Sequence, residues 1–324
     1  MNNLTDLYED DFYATMFGYT EQELDDNFGD RMQAHAKVMK LPYDVYRAEL
    51  KRWYNGYCFN AGKETVYNPM AIAKTLSEQS PKFRSTWTAG CRPSMLVNFI
   101  RQAYRTNVNF ENGVLVYPDE LGNVSDLDAL QLTDVLYQAG YLTIDTYDEE
   151  EGQLALRIPD FEIRRDLSAL LLSMSRKDAQ STNGMRPAFI NGKVQLFLEL
   201  LKKYYAKMVY CSTEQDVTEG NYQRMLQAFF DIASINNTPE PHQVNGNRAD
   251  LVAQYGDTIW IFELKRTKYA TADDALQQII DRDYMAPYRK PGYTLIQIGL
   301  AFDDASHHLV DANVQQFTVP MPVD

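Results

Sequence analysis

One stretch limits the fold of this chain more than any other: Thr258-Ile259-Trp260-Ile261-Phe262-Glu263-Leu264-Lys265. It is apolar on both faces, so it reads as a central strand buried in a sheet. Strand side chains alternate, which puts Ile259, Ile261, Glu263 and Lys265 on one face. Two charges therefore emerge together where a buried strand ends. Unpaired charge in such a place is costly, so both need partners.

The flanking residues supply them. Tyr222, Met225, Leu226, Phe229, Phe230 and Ala233 form one apolar face of a helix that packs on a sheet. Arg248 to Ala253 reads as a strand, and Tyr255-Gly256-Asp257 as the turn into the central strand. Thr271 caps a helix expected to run to Tyr284, with Asp273 and Asp274 in its first turn. Thr294 to Phe302 is a last strand, giving the order αββαβ. If the strands on either side of Gly256 pair, Asp250 falls near Glu263. Two carboxylates and a lysine suit phosphodiester hydrolysis. Asp250, Glu263 and the Leu264 carbonyl offer oxygen ligands for Mg²⁺, which polarises a phosphate and acidifies water. Lys265 then orients that water or meets the developing charge. The plain alternative is a salt-bridged Glu-Lys pair, since the tripeptide is common; the surrounding order of elements favours the site.

The segments Gly246-Asn247-Arg248-Ala249-Asp250-Leu251-Val252, Ile259 to Lys265 and Ala275-Leu276-Gln277-Gln278-Ile279 resemble a PD-(D/E)XK nuclease-superfamily domain. The particular branch they resemble is the bacterial one fused to AAA-ATPase-like domains. The resemblance covers about residues 213–312, within a domain expected over 177–324. It implies a restriction-endonuclease-like αβββαβ core in a mixed α+β chain. It also implies Asp250, Glu263, Lys265 and Gln278 as catalytic positions, Glu219 as a further metal acid on the first helix, and Tyr284 after the glutamine. Mg²⁺ or Mn²⁺ and nucleic acid, DNA favoured, follow as cofactor and substrate. Tyr222-Gln223 stands where that branch often has Tyr-His.

Upstream, Phe17-Gly18-Tyr19-Thr20-Glu21, Trp53-Tyr54-Asn55-Gly56-Tyr57 and Val66-Tyr67-Asn68-Pro69 resemble the C-terminal part of the AAA-ATPase-like region, here residues 1–90. These residues read as short helices, with a Thr20/Glu23 capping box and a helix opened by Pro69. Residues 91–176 read as a winged-helix-like segment: a helix ended by Gly140, strands at Tyr141–Ile144 and Leu154–Ile158, and a helix from Ile163 to Met174. Its turn carries Asp148, Glu149, Glu150 and Glu151, which would repel phosphate, so a structural or protein-contact role outranks DNA reading. Residues 175–187 read as a linker. A P-loop has only a near miss at Gly56 and Gly62-Lys63, with Glu64 in place of Ser or Thr, so no ATP is expected and the chain reads as a fragment of a longer module.

Composition trims the remaining options. The net charge of −14, from 31 basic and 45 acidic residues, argues against coating nucleic acid by bulk charge. From Thr213 onward there are 8 Lys and Arg against 16 Asp and Glu. That surplus suits the alternative reading of a catalytically inactive interaction or regulatory module on a nuclease-like scaffold. Cys58, Cys91 and Cys211 are scattered, which fits a reducing cytoplasm. No run is long enough for a membrane helix. Trp53, Tyr54, Tyr57 and Phe59 at helical spacing read as core rather than a base-stacking surface, and His307-His308 as a polar loop. A homodimer would suit cutting of two strands, although no residue specifies one.

Overall fold

The computed structural model describes residues 12–60, 64–86, 113–118, 121, 132–175, 182–208, 217–241 and 248–321. Cys91, Cys211, Gly62-Lys63, Gly246-Asn247 and residues 176–181 of the expected linker lie outside them, and Met185 to Pro187 at the linker's far end are helical rather than linker. The chain divides into two compact units, with the boundary between Leu167 and Ser168.

In the first unit, α1 (Glu21–Met39), α2 (Tyr43–Tyr54) and α3 (Pro69–Ser77) pack around Leu24, Tyr46, Leu50, Trp53 and Ile72. Thr20 and Glu23 close the capping box, and Asn68 caps α3 ahead of Pro69. Trp53 and Tyr54 are buried, with Trp53 edge-on to Phe161, so the aromatic run is core. A short antiparallel pair absent from the sequence reading, β1 (Asn55–Tyr57) and β2 (Val66–Tyr67), follows α2. Gly56 sits there because a Cβ would meet the Pro159 carbonyl oxygen at 1.7 Å. Further along come β3 (Val114–Val116), α4 (Leu132–Gln138), β4 (Thr143–Asp148), β5 (Gln153–Arg157) and α5 (Phe161–Ser175). The strands form a sheet of order β3-β5-β4, and the acidic turn between β4 and β5 is exposed.

The second unit holds α6 (Met185–Ile190), α7 (Val194–Ala206), α8 (Glu219–Ile232), β6 (Asn236–Pro239), β7 (Leu251–Tyr255), β8 (Thr258–Arg266), α9 (Ala272–Asp281), β9 (Thr294–Phe302) and β10 (Leu309–Thr318). The sheet order is β10-β9-β8-β7-β6. Only β8 and β9 are parallel, joined through α9; the other pairs are antiparallel. The αβββαβ order is present, extended by β10. The chain is thus mixed α+β, with a C-terminal mixed sheet of restriction-endonuclease-like arrangement.

β8 is central, as its two apolar faces require. Trp260, Phe262 and Leu264 join Phe189, Phe197, Phe229 and Phe230 of the helices on one side. The Phe189 and Trp260 rings stack at 4.5 Å. Ile259 and Ile261 join Ile279, Tyr284 and Leu295 on the other. Glu263 and Lys265 continue this second face, beneath α9.

α9 lies unusually close to β9. A Cβ on Gly299 would meet the Ala272 carbonyl oxygen at 2.2 Å and the Leu276 nitrogen at 2.6 Å, both main-chain atoms that cannot swing aside. Gly299 pairs in register with Glu263. Gly299→Ala is therefore expected to destabilise the second unit by roughly 1–3 kcal/mol, the usual range for overpacking. Denaturant unfolding checks it; parent-like stability would show that α9 can move away freely.

Candidate active site

Pairing of Leu251 with Phe262 brings Asp250, just before β7, beside Glu263. The Leu264 backbone N–H donates to Asp250 Oδ2 at 2.6 Å. From α8, Gln223 Nε2 donates to the Asp250 carbonyl oxygen at 2.7 Å, which braces the backbone at that turn. The sequence marks Gln223 only by its place in the Tyr-His position; its role was not legible because the contact is to a main-chain atom.

Glu263 is 2% exposed. Its Oε1 accepts from Lys265 Nζ at 2.7 Å and from Gln278 Nε2. Gln278 comes from α9 and also donates to the Tyr284 hydroxyl at 3.0 Å. Glu263 Oε2 is buried with no hydrogen-bond partner among the described residues. A carboxylate oxygen in that position costs free energy unless a cation or proton meets it.

The charges report the same imbalance. Burial, then the Glu263 charge, push the Asp250 carboxyl up to about 8, against the opposing Leu264 N–H and the Lys265 charge. Burial likewise raises Glu263, opposed by Lys265 and by the nearby Asp250 backbone N–H, which falls short of a well-formed hydrogen bond. For Lys265, burial works against its charge, but the bond to Glu263 and the negative field of Glu263, Asp250 and Glu219 outweigh it and raise its pKa. Without a cation, the two carboxyls thus hold a proton in the neutral range.

Glu219 stands apart from this pair. It opens α8, and its Oε1 accepts from the Arg266 backbone N–H at 3.1 Å. Among the described residues, no group of three or more His, Cys, Asp and Glu side chains converges to hold a metal ion. Glu219, Lys265, Arg266 and Tyr269 instead line an open cleft of about 640 Å³ at the end of β8. His307 Nδ1 meets the buried Tyr222 hydroxyl at 3.1 Å.

The donor set suits a hard divalent cation. It consists of carboxylate oxygens, one of them orphaned, in a pair that carries more negative charge than Lys265 offsets once its shared proton leaves. Mg²⁺ is commonly held by one or two carboxylates, keeping waters and substrate phosphate for its other positions, so a third acidic side chain is not required.

Residues 217–311 match the PD-(D/E)XK nuclease superfamily, and a domain of that superfamily occupies them. Over 319 residues, 96% of the chain is 27% identical to an uncharacterized protein in the vnfD 5′ region of Azotobacter chroococcum mcd 1. The chain spans 58% of that relative's length. No solved structure matches it. No helix among the described residues is long and apolar enough to cross a membrane.

The titration has a stability consequence with a definite sign. Asp250 has a folded pKa of about 8 against an ordinary 3.8. The folded state therefore binds more protons than the unfolded state between those values, and its stability falls as pH rises from 4 to 8. In chelator, Asp250→Asn is expected to flatten this slope and to be more stable than the parent at pH 8. Thermal unfolding across that range checks it; an unchanged slope would mean that Asp250 is ionised throughout.

Proposed function

We propose that residues 217–311 form a divalent-metal-dependent nuclease that hydrolyses phosphodiester bonds in nucleic acid, with DNA the favoured substrate. The observation that carries this reading is the Glu263 carboxylate. It is buried, has one oxygen without a partner and the other bound to Lys265, and lies beside Asp250 in a domain of the nuclease superfamily.

Asp250 and Glu263, with the Leu264 carbonyl, would hold Mg²⁺ or Mn²⁺; when bound, the ion would polarise the scissile phosphate and acidify a water. Lys265 would align the attacking water or offset the negative charge that gathers on the phosphate as the P–O bond breaks. Gln278 would keep the Glu263 carboxylate turned so that Oε2 faces the ion. Gln223 would hold the Asp250 backbone in place. Glu219 lines the cleft beside Lys265 and would strengthen cation binding through its charge. ATP has no part in this chemistry. A homodimer would suit cutting of two strands. The upstream likeness to an AAA-ATPase-like region and a winged-helix-like segment is a proposal of the same rank, carried by the residue patterns quoted above.

Incubation of the full chain with supercoiled plasmid and Mg²⁺ or Mn²⁺, beside Lys265→Ala, tests the reading. The expected result is nicking by the parent and a loss of roughly 100-fold in the variant, the usual cost of removing one electrostatic stabiliser, with an unchanged circular dichroism spectrum. Equal nicking by both would overturn the role of Lys265. No nicking by either, together with no divalent binding, would favour an inert interaction module.

A further inference from the structure

Tyr269 lies four residues beyond Lys265, in the turn that leaves β8. It is 67% exposed and lines the cleft that Lys265 also lines. Exposed aromatic side chains scattered singly need no explanation. Three observations set this one apart.

Its backbone is fixed. The Tyr269 and Ala270 N–H groups both donate to the Arg266 carbonyl oxygen, at 2.8 and 3.1 Å, and the Thr267 N–H donates to that of Phe302 at 2.9 Å. The Asp304 carboxylate ties the turn down further, accepting from Arg266 Nε at 2.6 Å and from the Lys268 N–H at 2.7 Å. An exposed ring thus stands on a braced turn, so little conformational freedom is lost when a ligand lies on it. Two cations lie over the ring, the Arg266 guanidinium carbon at 5.6 Å and Lys268 Nζ at 5.5 Å from its centroid. Asp304 offsets the charge of Arg266, whereas Lys268 makes no ion pair among the described residues. Finally, the cleft's volume of about 640 Å³ is in the range of small-ligand sites and has room for a nucleotide.

We propose that Tyr269 is a stacking platform for an unpaired nucleobase, on the strand whose phosphate lies at Lys265. The base would lie on the ring, and Lys268 would meet a neighbouring phosphate. An aromatic face beside a cation is the arrangement by which single-stranded nucleic acid is held without regard to base identity. A paired base inside a duplex offers no free face, so the platform selects for frayed, flipped or single-stranded substrate. This inference rests on the nuclease reading, and it assigns the kind of strand that the site accepts.

Fluorescence anisotropy with labelled oligonucleotides tests it. The full chain, in Ca²⁺ to limit cleavage, is titrated with a single-stranded DNA, the matching RNA and a blunt duplex, for the parent, Tyr269→Ala and Tyr269→Phe. The expected result is a loss of about tenfold in single-strand affinity for Tyr269→Ala, from the usual worth of one stacked base. Tyr269→Phe should bind as the parent does, and duplex affinity should be unchanged. The DNA and RNA arms show which sugar the cleft takes; loss on either supports the proposal. Undiminished single-strand binding by Tyr269→Ala, or equal loss on duplex, would overturn it. If the parent nicks plasmid while Tyr269→Ala binds normally, only the platform fails. If the parent neither nicks plasmid nor binds any oligonucleotide, the nuclease reading fails with it.

Discussion

The second unit is organised around one carboxylate, Glu263, which follows the apolar run Ile259 to Phe262 near the end of the central strand. Placing a negative charge there is unfavourable unless other groups meet it, and the neighbouring elements are arranged to do so. Lys265 follows two residues later on the same face and binds Oε1. Gln278 reaches the same oxygen from α9. It can do so because α9 lies almost on the backbone of β9, and that close approach needs Gly299 without a side chain. Oε2 is left without a partner, next to a second carboxyl that burial and the Glu263 charge hold partly protonated. The site is an incomplete charge balance, and a divalent cation is the group that would complete it.

The sheet holds this imbalance in place from its other face. Trp260, Phe262 and Leu264 alternate with the site residues along β8 and are locked into the aromatic packing of α6, α7 and α8. The strand therefore cannot slip by one residue without driving Glu263 into the position of Phe262 or Leu264 in the aromatic core. Register, and with it the placement of Glu263 and Lys265, is set by the apolar residues rather than by the charged ones. α8 contributes twice more from that side, through Gln223 at the Asp250 backbone and Glu219 at the end of β8.

Much of this was legible in the sequence because the relevant signals are local. The two apolar faces of β8, the Gly256 turn, the Thr271 cap and the apolar face of α8 each follow from a few neighbouring residues, and together they bring Asp250 to Glu263. The helix expected to run to Tyr284 instead ends at Asp281, and the chain turns so that Tyr284 meets Gln278. The resemblance implies a strand before β7, but no local pattern places β6, whose sequence carries weak strand preference, and β10 went unread. Asn236-Asn237-Thr238-Pro239 is held by pairing with β7 and by the bond from Asn237 to Asp231, contacts outside the four residues that no strand pattern within them announces. The short β1–β2 pair was missed for the same reason. The distance between Glu219 and the Asp250–Glu263 pair, and the role of Gln223, depend on how α8 meets the end of the sheet, which no local pattern encodes.

Whether a divalent cation completes the Asp250–Glu263 pair is read most directly from cation binding itself. Calorimetric titration of the full chain with Mn²⁺ near pH 7, repeated in two buffers of different ionisation enthalpy, reads both the affinity and the protons exchanged. The expected result is binding accompanied by proton release, since the pair gives up its shared proton to the buffer, and loss of that binding in Asp250→Asn and Glu263→Gln. Absence of binding by the parent, or equal binding by both variants, would contradict the assignment of the pair as the metal site.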